Sequence, residues 1–464
     1  MKPLQLYRRR RSKWLPATVL LLACLGEARA VELAECSHGP TAAPILLSDA
    51  VDRALCTSPK TRGAWANVKA AAAVVGESKA AYLPTLDATV EYDQQHVATQ
   101  VRDSPDLNSS FSARVFTGTV SLQWLLFDFG NRSATLANSR QMLAVAQATQ
   151  NETLQNVVAT VAKDYFSAQI ALAKVRSTLE VETAATHTLE GATARVEKGV
   201  AAITDQLQAD TAHLQAAYDR VKAENDLRVS LGVLAIDMDL PPDTPVSLAG
   251  TDLGAQPDSS FTQSVHDLVE EAVETHPSVL AAQARWQAAL AKVREVRAQG
   301  LPSLNMVGQL SYSTQPVSAS LGQEEQPART RDNYVGLKFS VPLFEGLGRL
   351  NQIREAEADA EAQEENLRDV KRSAANEVWS SLQTLQSDTE NLRLTGALVQ
   401  RAKESLTAVD RRYLSGVGSI LELLNSQNTV AQAEQQQIQA QFDWRNARIH
   451  LLLSLGRLGQ SDIR

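Results

Sequence analysis

Arg195-Val-Glu-Lys-Gly199-Val-Ala-Ala-Ile203-Thr-Asp205-Gln-Leu207 returns later in the chain as Arg412-Tyr-Leu-Ser-Gly416-Val-Gly-Ser-Ile420-Leu-Glu422-Leu-Leu424. Arginine, glycine, isoleucine, acid and leucine recur in one order at an offset of 217 residues. Outward from there, Leu126-Phe127-Asp128 and Arg132 match Leu343-Phe344-Glu345 and Arg349 at the same offset. Leu83-Pro84-Thr85-Leu86-Asp87 matches Leu301-Pro302-Ser303-Leu304-Asn305 at 218, as Pro59 does Pro277. Ordered matches at nearly fixed spacing mark an internal duplication, and such a repeat sets the architecture before any single element is assigned. It divides the chain into a leader at 1–30, a first copy at 31–255 and a second at 256–464.

Each copy has the same internal order. A helical stretch (about 48–80, then 267–299) ends before Leu-Pro. Two runs alternating with strict period two follow, the mark of strands with one apolar and one polar face. In copy one they carry Leu86, Ala88, Val90 and Tyr92, then Phe116, Gly118, Val120, Leu122 and Trp124. In copy two they carry Leu304, Met306, Gly308, Leu310 and Tyr312, then Val335, Leu337, Phe339 and Val341. The polar links near 94–112 and 313–331 read as exposed loops. Next comes a very long helix, from Asn131 to Lys198 and from Arg349 to Ser415. Its heptads are Leu154, Val158, Val161, Tyr165, Ala168, Leu172, Val175 and Leu179, and in copy two Leu385, Leu392, Val399, Leu406 and Tyr413. About 67 residues at 1.5 Å each predict a rod of ~100 Å. A Gly-bearing turn and a return helix close each copy, and a Pro- and Gly-punctuated connector from Leu240 to Ser260 joins the two.

Composition narrows the functions. The 464 residues carry a formal net charge of −8, which argues against nucleic acid as a main partner. No apolar run reaches the ~18 residues of a spanning helix. Membrane strands stay open, because alternation leaves average hydropathy almost unmarked. Arg8 to Arg11 and Lys13 precede an apolar core from Trp14 to Leu25, with Ala28-Arg29-Ala30 as a cleavage site, the build of a secretory signal peptide. Leu21-Leu22-Ala23-Cys24 also fits the pattern before a lipid-modified cysteine. Conventional cleavage leaves Cys36 and Cys56, an even count in an oxidising compartment. A disulfide between them would be worth ~3 kcal/mol in the chain-entropy model, and two free thiols are the alternative. No His-Glu-x-x-His, Gly-x-Ser-x-Gly or phosphate-binding loop is present, so no enzyme, cofactor or metal is predicted.

Two strands per copy give four per chain. An open four-stranded sheet cannot sit in lipid with its edge groups unsatisfied, so several chains must pool strands to close a barrel. Long helices continuous with those strands would extend the cylinder away from the membrane. A periplasmic coiled-coil scaffold with two hairpins is the distant alternative, and it leaves the apolar faces uncovered.

With its duplication, its two Leu-Pro strand starts, Leu-Phe-Asp-Phe-Gly-Asn-Arg at 126–132, Gly-Leu-Lys-Phe-Ser-Val-Pro-Leu-Phe at 336–344 and its two Gly…Ile-x-acid turns, the chain resembles the TolC family of outer-membrane factors. The resemblance implies an α+β membrane protein. It would be a homotrimer, with a 12-stranded outer-membrane β-barrel continued by a periplasmic α-helical coiled-coil barrel. It implies an exit duct working with a periplasmic adaptor and an inner-membrane pump. Type I protein secretion with an ABC transporter is the leading reading, and small-molecule efflux is the alternative. The resemblance places Gly199 and Gly416 at the periplasmic tip. There Asp205 and Tyr413 correspond to an acid and a tyrosine that tie the coils together, and Glu422 and Asn425 to acids lining a constriction. Family members often carry an arginine five residues after the tyrosine. Here that position is Gly418, which predicts a weaker latch.

Overall fold

The computed structural model describes residues 44–249, 264–315, 326 and 328–459. The leader, Cys24, Cys36, the second half of the connector from 250 and most of the link at 316–327 lie outside the described residues. Copy one runs α1 (Leu47–Thr57), α2 (Pro59–Ala80), β1 (Thr85–Thr99), β2 (Ser109–Phe127), α3 (Asn131–Glu197) and α4 (Ile203–Asp237). Copy two runs α5 (Val265–Thr275), α6 (Pro277–Gln299), β3 (Ser303–Ser313), β4 (Thr330–Ser340), α7 (Gly348–Leu414) and α8 (Ile420–Ser454). The long helices have 67 residues each and the return helices 35 each.

The stretches expected as single helices at 48–80 and 267–299 are each broken in two. Pro59 and Pro277 open the second piece, where a missing N–H costs nothing, and proline pushes the residue before it out of the α region. Ser58 accordingly sits at φ −54°, ψ 128°, with its hydroxyl accepting from Lys60 N at 3.3 Å. His276 does the same for Ser278 through its ring nitrogen.

The four strands form one antiparallel sheet in the order β1-β2-β3-β4. Its register places the alternating sets side by side: Val90 opposite Gly118, Tyr92 opposite Phe116, Val120 opposite Leu310, Trp124 opposite Met306 and Met306 opposite Leu337. One face is therefore apolar across all four strands, and Phe116 meets Tyr312 edge to face at 6.5 Å. The strands of copy one outrun the alternation. Gln94, Gln95 and His96, expected in a loop, continue the ladder to Thr99 opposite Ser109, leaving only 100–108 as the turn. Backbone pairing propagates there although polar residues on both faces erase the period. Both outer strands, β1 and β4, are exposed, with Val90 72% and Val335 71% accessible.

At the first strand-to-helix junction Asp128 accepts from Arg132 N at 2.8 Å and Nε at 3.1 Å. Arg132 in turn donates to the Leu125 and Leu126 carbonyls and lies 4.6 Å over the Tyr82 ring. Glu345 and Arg349 repeat the ion pair in copy two.

α3 packs antiparallel on α4, α7 on α8, and the two pairs meet along α3 and α8. Residues 40–464 form one compact unit, so the copies pack on each other. The heptad of copy two is the coil seam: Leu385, Val399 and Tyr413 are buried. In copy one the expected heptad holds from Val158 to Ala168, but Leu179 is 52% exposed. Lower down the seam is made of small residues instead, Ala171, Thr178, Ala185 and Ala192 facing Ala209, Ala216 and Ala223. Short side chains let the two backbones approach, and Leu179 turns outward.

Candidate functional site at the hairpin tips

Both long hairpins turn by the same device. Gly199 (φ 72°) and Gly416 (φ 82°) follow the helix ends in the left-handed region that only glycine enters without strain. Val200 N donates to Arg195 O at 2.9 Å and Gly199 N to Val196 O at 2.9 Å. Val417 N to Arg412 O and Gly416 N to Tyr413 O repeat them. These are Schellman motifs, which satisfy the last carbonyls of α3 and α7. The return helices then start on an acid: Asp205 and Glu422 sit in the first turns of α4 and α8, where the helix dipole favours negative charge.

The tips are joined by a residue that sequence reasoning left without a role. The Arg195 guanidinium lies 4.3 Å over the Tyr413 ring, and its Nη2 donates to the Tyr413 carbonyl at 3.0 Å and the Leu414 carbonyl at 3.3 Å. It ties the end of α3 to the end of α7. Tyr413 is buried, in a cluster with Ile420, Leu423 and Leu424. Among the described residues its hydroxyl has no hydrogen-bond partner, and no bond joins it to Asp205 within the chain. The repeat itself held the signal, since Arg195 opens the quoted stretch and its counterpart is Arg412. Arg412 makes a different bond, from Nη1 to Glu422 Oε1 at 2.7 Å.

Gly418 has a local reason. A Cβ there would lie 3.0 Å from the Tyr413 nitrogen and 3.1 Å from the Arg412 carbonyl carbon, both backbone atoms. A side chain at this position would press on that backbone, so the turn would have to give by a few tenths of an ångström to take the arginine seen in family members.

Glu422 is thus paired, and its backbone N–H is capped by Ser419 Oγ at 3.2 Å. Asn425, three residues on, is exposed and lines a groove of about 750 Å³ between α4 and α8, with Leu207, Ala212, Leu406, Leu421 and Leu424. Cys56 is disulfide-bonded, while its expected partner Cys36 lies outside the described residues. Among the described residues no set of three or more His, Cys, Asp or Glu side chains could hold a metal ion, and no helix is long and apolar enough to cross a membrane.

A sheet with one apolar face, continued by helices of ~100 Å that fold back on shorter return helices, is the architecture of an outer-membrane channel protein. The chain belongs to the outer membrane efflux protein family, whose model matches residues 50–235 and 268–457. It is an outer-membrane protein that extends into the periplasm. It is 29% identical to protein CyaE of Bordetella pertussis over 90% of this chain and 85% of that one. It is 24% identical to outer membrane protein TolC of Escherichia coli, over 90% and 83%. Alkaline protease secretion protein AprF of Pseudomonas aeruginosa shares 23%, over 79% and 74%. The fold matches the solved structure of CusC with a TM-score of 0.76 at 17% identity, covering 90% of this chain and 94% of that one.

Proposed function

We propose that three copies of this chain assemble a 12-stranded barrel and a twelve-helix periplasmic tunnel, the exit duct of a tripartite system for type I protein secretion. An ABC transporter in the inner membrane and a periplasmic adaptor complete it. The observation that carries the assembly is the state of the sheet edges. Among the described residues β1 and β4 are the two edges of the sheet, beside exposed Leu86, Val90, Tyr92, Val335, Leu337 and Phe339, and further copies would satisfy that backbone in hydrocarbon. The repeat supports the same geometry below the membrane. Leu424 of α8 is 8% exposed, packed with Tyr413, Ile420 and Leu423, whereas its counterpart Leu207 on α4 is 58% exposed. Leu214, Tyr218 and Val221 continue along α4 as a row of exposed apolar side chains among the described residues. The α7 of a neighbouring copy would take there the place that α3 takes against α8.

Secretion is favoured over efflux by the secretion named in the AprF relative and by the bonded Cys56, in keeping with the Cys36–Cys56 pair expected of secretion-type members. Unheated protein in detergent is expected to run as a trimer that collapses to monomer on boiling; monomer in both lanes refutes the assembly. A deletion strain is expected to lose a secreted protein from its medium while keeping its resistance to small toxic compounds. The reverse pattern establishes efflux instead.

A further inference from the structure

At the end of α4 the two copies differ in charge. Lys60 on α2, Asp164 on α3 and Asp237 on α4 correspond through the repeat to Ser278, Ser381 and Ser454. Copy one thus has a lysine and two carboxyls where copy two has three hydroxyls. Ser454 closes α8 by donating to the Leu451 carbonyl at 2.9 Å. Asp237, the last residue of α4, makes its side-chain hydrogen bond to Asp164, a second carboxyl. Two carboxylates cannot hydrogen-bond without a proton between them, and Asp237 Oδ2 is buried with no hydrogen-bond partner of its own.

The chain that follows is pinned beside this pair. Met238 O accepts from the Thr57 hydroxyl of α1 at 3.3 Å, and Leu240 N donates to Ala235 O at 2.9 Å. Further on, Ile45 N donates to Ser247 O, Ala249 N to Ile45 O, and the Tyr165 hydroxyl, next to Asp164, also to Ile45 O. Asp239 between them is held at φ 59°, a strained value for a residue with a side chain.

We propose that Asp237 holds a proton against the neighbouring carboxyl of Asp164, and that this contact is a pH-sensitive fastening between α3, the end of α4 and the connector, present in copy one only. Among the described residues the charges acting on Asp237 are Asp164 from α3 and Lys60 from α2. α1 contributes Arg53, whose carbonyl accepts from Thr57 and whose Nε is buried without a partner. One lysine cannot neutralise two carboxylates, and the negative end of the α4 dipole adds to the repulsion. Burial, then the bond to Asp164, then its charge, push the Asp237 carboxyl up to about 7. The folded junction therefore holds its proton more tightly than the opened chain does. Opening is suppressed at low pH, becomes easier as pH rises toward 7, and levels off above it.

The test is hydrogen exchange on the full chain in detergent from pH 5 to 8.5, corrected for intrinsic exchange. It is read over residues 236–249, with the copy-two end at 453–459 as internal reference. Protection over 236–249 is expected to fall severalfold between pH 5 and 7, bounded by about tenfold per pH unit, and then to level; the reference stays constant. Asp237→Asn is expected to flatten the profile. Should that variant not fold, the double variant D164S/D237S, which writes the copy-two pair into copy one, is expected to be equally flat. A constant profile in the unmodified protein, a parallel fall in both segments, or an unchanged slope in either variant overturns the proposal.

Discussion

Replacing Arg195 by alanine removes a side chain that bridges the two hairpin tips within the chain. It deletes two bonds from a charged donor to the Tyr413 and Leu414 carbonyls, at 3.0 and 3.3 Å, and the guanidinium above the tyrosine ring. Charged donors contribute about 1.5–3 kcal/mol per bond in favourable settings, and an exposed cation–π contact about 0.5–1. One nitrogen serves both carbonyls at a half-exposed site, so the sum is ~2 kcal/mol per chain, a rise of about 30-fold in local opening. Tyr413→Phe keeps the ring and removes a hydroxyl without a partner in the chain, so a change under about threefold is expected. Arg195→Lys keeps the charge but loses the planar fork, and falls between the two. Hydrogen exchange at 412–420 reads the opening, and single-channel recording reads its effect on conductance. If Arg195→Ala leaves both unchanged while Tyr413→Phe raises both, a phenol–carboxylate latch holds the tips and the arginine does not.

Further outcomes follow from other residues. Gly416→Ala places a Cβ at φ 82° and is expected to cost about 1–2 kcal/mol at the tip, seen as faster proteolysis after α7. Glu422→Gln frees Arg412 and removes the carboxylate from the second tip of each chain, so cation preference in planar bilayers is expected to drop; unchanged selectivity excludes a carboxylate ring. Val335→Lys puts a charge on the exposed apolar face of β4. It is expected to destabilise the inserted form by about 2–4 kcal/mol if that site lies mid-bilayer, read as a lower temperature for trimer loss on a gel. Cys56→Ser removes a disulfide and is expected to lower thermal stability by about 2–4 kcal/mol, with reductant mimicking it on the unmodified protein.

The repeat made the order of elements and their lengths legible. Period two located one face of all four strands, and the heptad of α7 its buried seam. The prolines that split the leading helices were visible as a matched pair, yet apolar content alone ran across them. Where the strands rise past Tyr92, polar residues on both faces leave no period, and only the ladder reveals the extension. The alanine seam of α3 was hidden for a related reason: heptad reading weights large side chains, and here backbone proximity selected small ones. At the tips, glycines and acids were legible because geometry dictates them. Arg195 was not, because its partners are carbonyl oxygens and a ring face, which have no sequence signature of their own.

The equal lengths of α3 and α7, and of α4 and α8, constrain how such a gene can change. Adding one residue to a coil turns everything beyond it by about 100° and swings its seam away from the partner helix. Whole heptads alone preserve the facing, and a heptad gained in one copy but not its sister would leave the two hairpins ending at different depths. Viable length variants should therefore carry matched insertions of seven in all four long helices, and point substitutions should be the common currency of divergence.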